Sequence, residues 1–443
     1  MNTGGSFHIT GGKPLVGSVR LGGAKNASYK LMIAALLADS ESRLLNFSRI
    51  SDVETVAKVI ETLGGGIRRA GERALFIAPE TLNSSTVPDD VGEQGRFSTL
   101  FIPVLLARFK HALVPKPGGD KIGARPLERH FDGLIKLGAQ IRERGSMIEA
   151  HCEQLVGTTY RFEKNTHTGT ETLILAATMA VGKTILENAA EEPEVDDLID
   201  FINEMGGHIR RRPGRIIEIQ GVSELHGSIH QIMPDRNEAV SYGCAALATK
   251  GDIVIENAKA EHLESFIEKV REIGGGFEVG KYGTRFYYKG PLQATDITTQ
   301  IHPGFMTDWQ PLFTTVLTQC EGESLLHETI MPRRFQHITA LQEMGASIEY
   351  VSLDVAFPEK VYNFNLDDDH EGDFHAVKIT GATPLHAADC AIHDLRQGAT
   401  LILAALAAKG TSTLTGIGHI DRGYEDLSDR LISLGAQLER QEL

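Results

Sequence analysis

Little in this sequence is of the kind that marks a disulfide scaffold, a membrane protein or a nucleic-acid binder. Only four cysteines occur in 443 residues, Cys152, Cys244, Cys320 and Cys390, far apart and without a C-x-x-C pair. They read as buried free thiols of a protein from a reducing compartment. No stretch approaches the roughly 18 apolar residues that cross a bilayer. The opening MNTGGSFHITGGKPL lacks the apolar core of a signal peptide, so a cytoplasmic protein and no membrane partner are expected. Positive charge is scarce too: the formal net charge is -15 and no long basic run occurs, which argues against nucleic acid. Small anions remain open as ligands, provided that arginines and lysines gather locally.

Cofactor signatures are missing as well. There is no G-x-G-x-x-G, H-E-x-x-H or G-x-S-x-G, and the histidines show no metal-ligand spacing. Val181-Gly182-Lys183-Thr184 imitates the end of a phosphate-binding loop, but position 177 is Ala177 and the segment runs from helix to strand, the reverse of the required order. Asp367, Asp369 and Gly372 echo a calcium loop whose twelfth position is Lys378 instead of glutamate. Nicotinamide, serine-hydrolase and metal readings all lose support, and no cofactor and no metal are expected.

What the chain has in plenty is small residues in a repeat. A glycine after Leu, Ile or Met recurs at Gly64, Gly138, Gly206, Gly274, Gly345 and Gly435, at steps of 74, 68, 68, 71 and 90 residues. Each closes an amphipathic segment such as DVETVAKVIETLGG, where it reads as a helix C-cap. Upstream of each, by 23 to 27 residues, ends an apolar run such as LMIAALLADS or LILAALAAKG, apolar almost all round and so a buried helix. Short β-rich runs, KTILENA and DIVIENA among them, lie between the two helices. Repeats this long favour two compact lobes of three units over a solenoid, with a cleft as the default ligand site.

Departures from the repeat carry the chemistry. The second copy is longer between its helices, and the extra length falls in Pro115-Lys116-Pro117-Gly118-Gly119-Asp120-Lys121-Ile122-Gly123-Ala124-Arg125-Pro126. Its glycines and prolines forbid a regular helix or strand, while charged side chains sit between them. Gly22-Gly23-Ala24-Lys25-Asn26-Ala27-Ser28 opens the first buried helix with small residues that suit close backbone approach, and with a lysine at the positive end of the helix dipole. His302-Pro303-Gly304-Phe305-Met306-Thr307-Asp308-Trp309-Gln310 precedes the fifth, with an aspartate that is either an N-cap or a base made stronger by apolar neighbours. His393-Asp394-Leu395-Arg396 and His419-Ile420-Asp421-Arg422 each set an arginine beside an acid near a helix start.

GGAKN, PGGDxIGARP, HPGFMTDWQ, DLR and HIDRGYED, in this order on a six-repeat chain, closely resemble the UDP-N-acetylglucosamine 1-carboxyvinyltransferases of the enolpyruvyl transferase family, over essentially the whole length. The resemblance implies a two-lobed inside-out α/β barrel with its active site in the cleft between lobes. One lobe would be 1–24 plus 234–443, bearing the base, and the other 25–233, bearing the catalytic loop 115–126. It implies transfer of the enolpyruvyl group of phosphoenolpyruvate to the 3′-hydroxyl of UDP-N-acetylglucosamine without a cofactor. The catalytic residues would be Asp120, Asp308, Lys25, Arg396 and Asp394. Lys25, Arg96, Arg125 and Arg422 would bind phosphoenolpyruvate. The nucleotide sugar would meet Asn26, Arg96, Arg125, Pro126, Glu128, Arg129, Lys164, Thr166, His167, Thr168, Asp308, Ile330 and Arg334. The oligomeric state is left open.

Three positions depart from the usual pattern. Asp120 stands where most members carry the cysteine that fosfomycin alkylates. A general acid wants its proton, whereas Lys121 and Arg125 beside it favour the carboxylate; bound substrate phosphates would have to offset them. Thr166-His167-Thr168-Gly169-Thr170 replaces Ser-Val-Gly-Ala-Thr, and Glu128 replaces an aspartate, both on the nucleotide side.

Overall fold

The computed structural model describes residues 4–118, 126–370 and 372–442. In chain order its α-helices are α1 (Lys25–Ala34), α2 (Ser51–Thr62), α3 (Phe101–Phe109), α4 (Glu128–Lys136), α5 (His167–Thr178), α6 (Pro193–Glu204) and α7 (Arg236–Ala248). They continue with α8 (Glu264–Glu272), α9 (Gln310–Leu317), α10 (Ile338–Glu343), α11 (Pro358–Val361), α12 (Leu395–Ala407), α13 (Gly418–Asp421) and α14 (Leu427–Ser433). The six apolar runs form α1, α3, α5, α7, α9 and α12. Every residue of α7 and α9 is buried. The amphipathic segments form α2, α4, α6, α8, α10 and α14, and each buries one stripe only: in α8 it is Phe266, Ile267 and Val270.

All six repeat glycines close these amphipathic helices at positive φ, between 79° and 106°. A Cβ would be strained there, so the glycine is what lets the chain leave the helix and start the next strand.

The described residues divide into two compact units, 22–118 with 126–233 (the first unit) and 4–21 with 234–442 (the second unit). Gly22 to Ala24, expected with the second unit, go with the first. The Ala24 N–H donates to Met233 O at 2.7 Å, and a Cβ on Gly23 would stand 1.9 Å from Asn46 O. Gly23 is small because a side chain there would meet its own chain.

Within each unit the strands repeat as faithfully as the helices. In the first, Ile229–Gln231, Ser42–Leu45, Ala74–Ala78 and Gly66–Ala70 lie side by side, the first pair parallel and the others antiparallel. Thr159–Arg161, Lys183–Glu187, Ile216–Gln220 and His208–Arg212 repeat that order and those directions. The sheet His111–Pro115, Met147–His151, Gln140–Arg144 has a lone parallel bridge, Thr86 to Leu113, where the fourth strand would be. The second unit holds three more sheets of the same order, and the amino terminus completes two of them. Val16–Arg20 pairs parallel with Asp252–Glu256, and Ser6–Thr10 lies between Thr411–Thr415 and Gln437–Gln441. Each unit is thus three buried helices with three sheets, the inside-out α/β arrangement, and each has its own apolar core.

All four cysteines are free and buried. Between Gly345 and Gly435, the longest step of the repeat, lies α11, and there His375 Nε2 stands 3.0 Å from Asp369 Oδ1. Among the described residues no group of three metal-ligating side chains occurs, and no helix is long and apolar enough to cross a membrane.

Candidate active site

In the first unit the candidate residues gather at helix starts. Lys25 is the first residue of α1, whose N-cap, Ala24, offers no side-chain oxygen. Its ammonium pairs with Asp52 Oδ2, in the first turn of α2, at 2.6 Å, with both side chains largely buried. Asn26 follows, half-buried. Arg96 opens the 3-10 turn Arg96–Leu100, and its carbonyl accepts from Thr99 Oγ1 at 3.2 Å. Thr166 caps α5 by accepting from Gly169 N–H at 3.2 Å. A Cβ on Gly169 would come within 2.4 Å of the Thr166 methyl, so the cap and the glycine require each other.

His167 and Thr168 are the first residues of α5 and are half-buried. His167 Nε2 lies 3.1 Å from Glu171 Oε1, and Lys30 Nζ lies 2.5 Å from Glu171 Oε2. Lys164 and Pro126 are half-buried and Glu128, first residue of α4, is exposed. The Arg129 carbonyl accepts from Tyr160 Oη at 3.4 Å. Asp120, Lys121 and Arg125 lie outside the described residues.

In the second unit the centre is Asp308. Its Oδ1 accepts from Arg334 Nη2 at 2.9 Å and its Oδ2 from Arg396 Nη2 at 3.1 Å. The two guanidiniums are buried while Asp308 keeps 27% exposure, so the carboxylate is the member of the trio that faces outward. This settles two sequence expectations. Asp308 does not cap a helix: the N-cap of α9 is Trp309, which makes no side-chain cap bond. Nor is the carboxylate wrapped in apolar groups. Trp309 is buried beside it, its Nε1 donating to Asn237 Oδ1 at 2.8 Å, but two cations hold the carboxylate oxygens.

Arg396 is itself fixed. Its Nη1 donates to Tyr424 Oη at 3.0 Å, and Tyr424 in turn meets Ser241 Oγ at 2.7 Å. Burial works against its charge, but Tyr424, Asp308 and Asp235 outweigh that and raise its pKa further. Asp394, expected among the catalytic residues, caps α12 by accepting from the N–H groups of Arg396 and Gln397 at 2.9 and 3.0 Å. Beneath Arg334, burial and that guanidinium push the pKa of His337 down to about 3, so it adds no charge to the cluster. Arg422 ends the short helix α13 and is half-buried.

Ile330 is positioned by a residue that sequence reasoning missed. Glu328, fully buried, accepts from the N–H groups of Ile330 and Met331 at 2.8 and 3.1 Å, and from Thr307 Oγ1 at 3.0 Å, next to Asp308. Burial raises its pKa. Asp52, Lys30, Glu171, Ser241 and Tyr424 were missed too. Of these only Tyr424 had a signal, since it stands inside HIDRGYED.

The first unit thus sets Lys25 and His167 at the starts of α1 and α5, and the second holds a carboxylate between two arginines. The family model described as EPSP synthase (3-phosphoshikimate 1-carboxyvinyltransferase) matches residues 9–431. The solved enolpyruvyl transferase NikO from Streptomyces tendae superposes with a TM-score of 0.86 over 99% of this chain and 100% of that one, at 21% identity. EPSP synthase from Acinetobacter baumannii superposes with 0.72, over 99% and 100%, at 18% identity. The fold and the class are those of the enolpyruvyl transferases.

Within that class the sequence is more specific. It is 40% identical over 435 residues, 98% of each chain, to the UDP-N-acetylglucosamine 1-carboxyvinyltransferase of Trichlorobacter lovleyi. To that of Acidobacterium capsulatum it is 39% identical over 439 residues, 98% of this chain and 95% of the relative. The chain belongs to the UDP-N-acetylglucosamine 1-carboxyvinyltransferase family.

Proposed function

We propose that this protein transfers the enolpyruvyl group of phosphoenolpyruvate to the 3′-hydroxyl of UDP-N-acetylglucosamine, releasing phosphate, as the first committed step of peptidoglycan precursor synthesis in the cytoplasm. The observation that carries this reading is whole-length identity of about two residues in five to relatives bearing that activity's name. Addition of the sugar oxygen to the enol carbon needs a base for the hydroxyl proton, an acid for the methylene carbon, and cations for carboxylate and phosphate. Elimination of phosphate from the ketal then restores the double bond.

Asp308 is the base: it is the outward member of its trio, and Arg334 and Arg396 fix both of its oxygens. Lys25, Arg96, Arg125 and Arg422 take phosphoenolpyruvate. Asp120 supplies the proton to carbon. Asp394 acts through Arg396, whose N–H it accepts. Asn26, Pro126, Glu128, Arg129, Lys164, Thr166, His167, Thr168 and Ile330 take the nucleotide sugar. No cofactor enters, because every step is a proton transfer or a C–O bond change.

The test is phosphate release from phosphoenolpyruvate with UDP-N-acetylglucosamine, shikimate 3-phosphate or a free nucleotide as acceptor. Release with the first alone supports the reading. Release only with another acceptor, or with none, overturns it.

A further inference from the structure

The most unusual buried feature of the first unit is a charge cluster beside the start of α5. Glu171 is wholly buried, and its two oxygens are divided between Lys30 of α1 at 2.5 Å and His167 at 3.1 Å. Lys30 Nζ and His167 Nε2 are themselves 3.3 Å apart. The lysine side chain keeps 3% exposure and the glutamate none, against 21% for the histidine. Of the three, then, only His167 is open to meet a ligand.

A buried glutamate with one cation would be an ordinary helix-to-helix tie. Two cations on one carboxylate are not, because they repel one another and one of them points outward. The ring has two ways to settle. With Nε2 bare it accepts from the Lys30 ammonium; with a proton on Nε2, in the neutral tautomer or the charged ring, it donates to Glu171.

The surrounding groups decide between these. Burial alone would lower the histidine pKa, and Lys30 lowers it further, but Glu171 with Glu192 outweighs both, and the pKa is raised. Glu192 is the N-cap of α6, and its Oε2 is buried without a hydrogen-bond partner among the described residues. On the other elements packed against α5, the 3-10 turn carries Arg96, and α4 carries His130, whose Nδ1 meets Thr172 Oγ1 at 3.2 Å. With the ring charged, Lys30 and His167 balance Glu171 and Glu192.

We propose that Glu171 and Lys30 are positioning residues that hold His167 as a cationic contact for the diphosphate of the nucleotide sugar. The proposal rests on the nucleotide-sugar reading above and adds to it a control of affinity by pH. The diphosphate diester does not titrate between pH 5.5 and 9, and the uracil N3–H ionises only toward the top of that window, at about 9, so a change of affinity centred lower belongs to the protein. Because the bound anion favours the charged ring, affinity is full below the histidine pKa and falls as the pH rises through it. Glu171 and Lys30 pull that pKa in opposite directions, so each leaves its own mark on the midpoint of the affinity change.

The experiment is calorimetric titration of the full-length enzyme with UDP-N-acetylglucosamine from pH 5.5 to 9, with the His167 ring followed by NMR. Wild type should bind about tenfold more weakly well above the histidine midpoint than below it. Glu171→Gln should move that midpoint down and Lys30→Met should move it up. His167→Gln, at the one member of the cluster that keeps exposure, should bind weakly and without pH dependence. The proposal is overturned if His167→Gln keeps the wild-type pH dependence, or if the two buried variants shift the midpoint in the same direction. Should both buried variants fail to fold, the wild type and His167→Gln decide alone. An enzyme that releases phosphate with UDP-N-acetylglucosamine but binds it equally at all pH values sinks only this inference. Absence of any nucleotide-sugar binding sinks the functional reading beneath it.

Discussion

The two units are built on one repeat, yet two of the three buried helices in each are capped differently. In the second unit α7 and α12 are capped by Asp235 and Asp394, each accepting from two backbone N–H groups, so a carboxylate sits on the positive end of the helix. In the first unit Ala24 caps nothing with its side chain, Thr166 brings a neutral oxygen, and the next residues are Lys25 and His167. A carboxylate meets the positive helix end at α7 and α12, although Arg236 and Arg396 stand in the same first turns, and none caps α1 or α5. The scaffold is common and the caps differ: the proposed contacts to anions fall on both units, Lys25 and Arg96 on the first and Arg422 on the second, while the carboxylate clamped by two arginines lies in the second.

The largest effect should come from the second unit. Asp308→Asn keeps size and hydrogen-bonding atoms but removes the carboxylate proposed to accept the hydroxyl proton, and kcat should fall by roughly 10²–10⁴-fold. Steady-state kinetics would measure it. A kcat within threefold of wild type would mean that the arginine-clamped carboxylate is an ion pair and not a base, and the division of labour would collapse.

Asp120 is an acid carried in sequence between two stretches of the first unit. Fosfomycin alkylates a thiolate, and a carboxylate is a far poorer nucleophile. Wild type should keep its activity on prolonged exposure to the drug, and Asp120→Cys should lose it progressively while remaining active beforehand. Time-dependent inactivation of the wild type would show that another nucleophile lines the site. A pH-rate profile with the same acid limb in both enzymes would remove Asp120 from the proton-transfer step.

The repeat was legible in the sequence because its determinants are local. A glycine at positive φ, an apolar run and an amphipathic stripe each lie within one helix, and all six copies of each are found where the spacing put them. The site was legible only as separate motifs. Asp308 reads as a cap or an apolar-pocket base until Arg334 and Arg396, 26 and 88 residues away, close on it. Lys30 and His167 are 137 residues apart, and no periodicity connects them. Glu328 looks like any strand-end acid, because what defines it is two backbone N–H groups that the next turn presents. Propensity and pattern report the near neighbours along the chain; partner choice is made by packing across it.

A smaller effect should separate binding from catalysis on the first unit. Lys25→Gln removes an ammonium from the start of α1 and breaks its pairing with Asp52. The KM for phosphoenolpyruvate should rise on the order of 10- to 100-fold, one to two pairs' worth of charge-assisted contact. Asp52→Asn, which loses the pairing but keeps the cation, should raise it less. Equal defects in the two variants would show that Lys25 serves the Asp52 pair rather than the substrate.

The caps give the smallest effect and the sharpest comparison. Asparagine is as good an N-cap as aspartate, and alanine is not, so Asp394→Ala should lower the unfolding free energy by about 1 kcal/mol while Asp394→Asn loses only the carboxylate's attraction to the helix dipole, roughly 0.3–1 kcal/mol. Thr166→Ala on the first unit should cost about as much as the alanine change at 394, since there too one oxygen serves the first turn. Activity divides the cases. If Asp394 acts only by seating Arg396, the asparagine variant keeps near-normal kcat because both backbone bonds to residues 396 and 397 persist. If its charge takes part in the reaction, asparagine is as damaging to kcat as alanine although the helix is equally well capped, and the second unit would then hold two working carboxylates where the geometry shows one that faces outward.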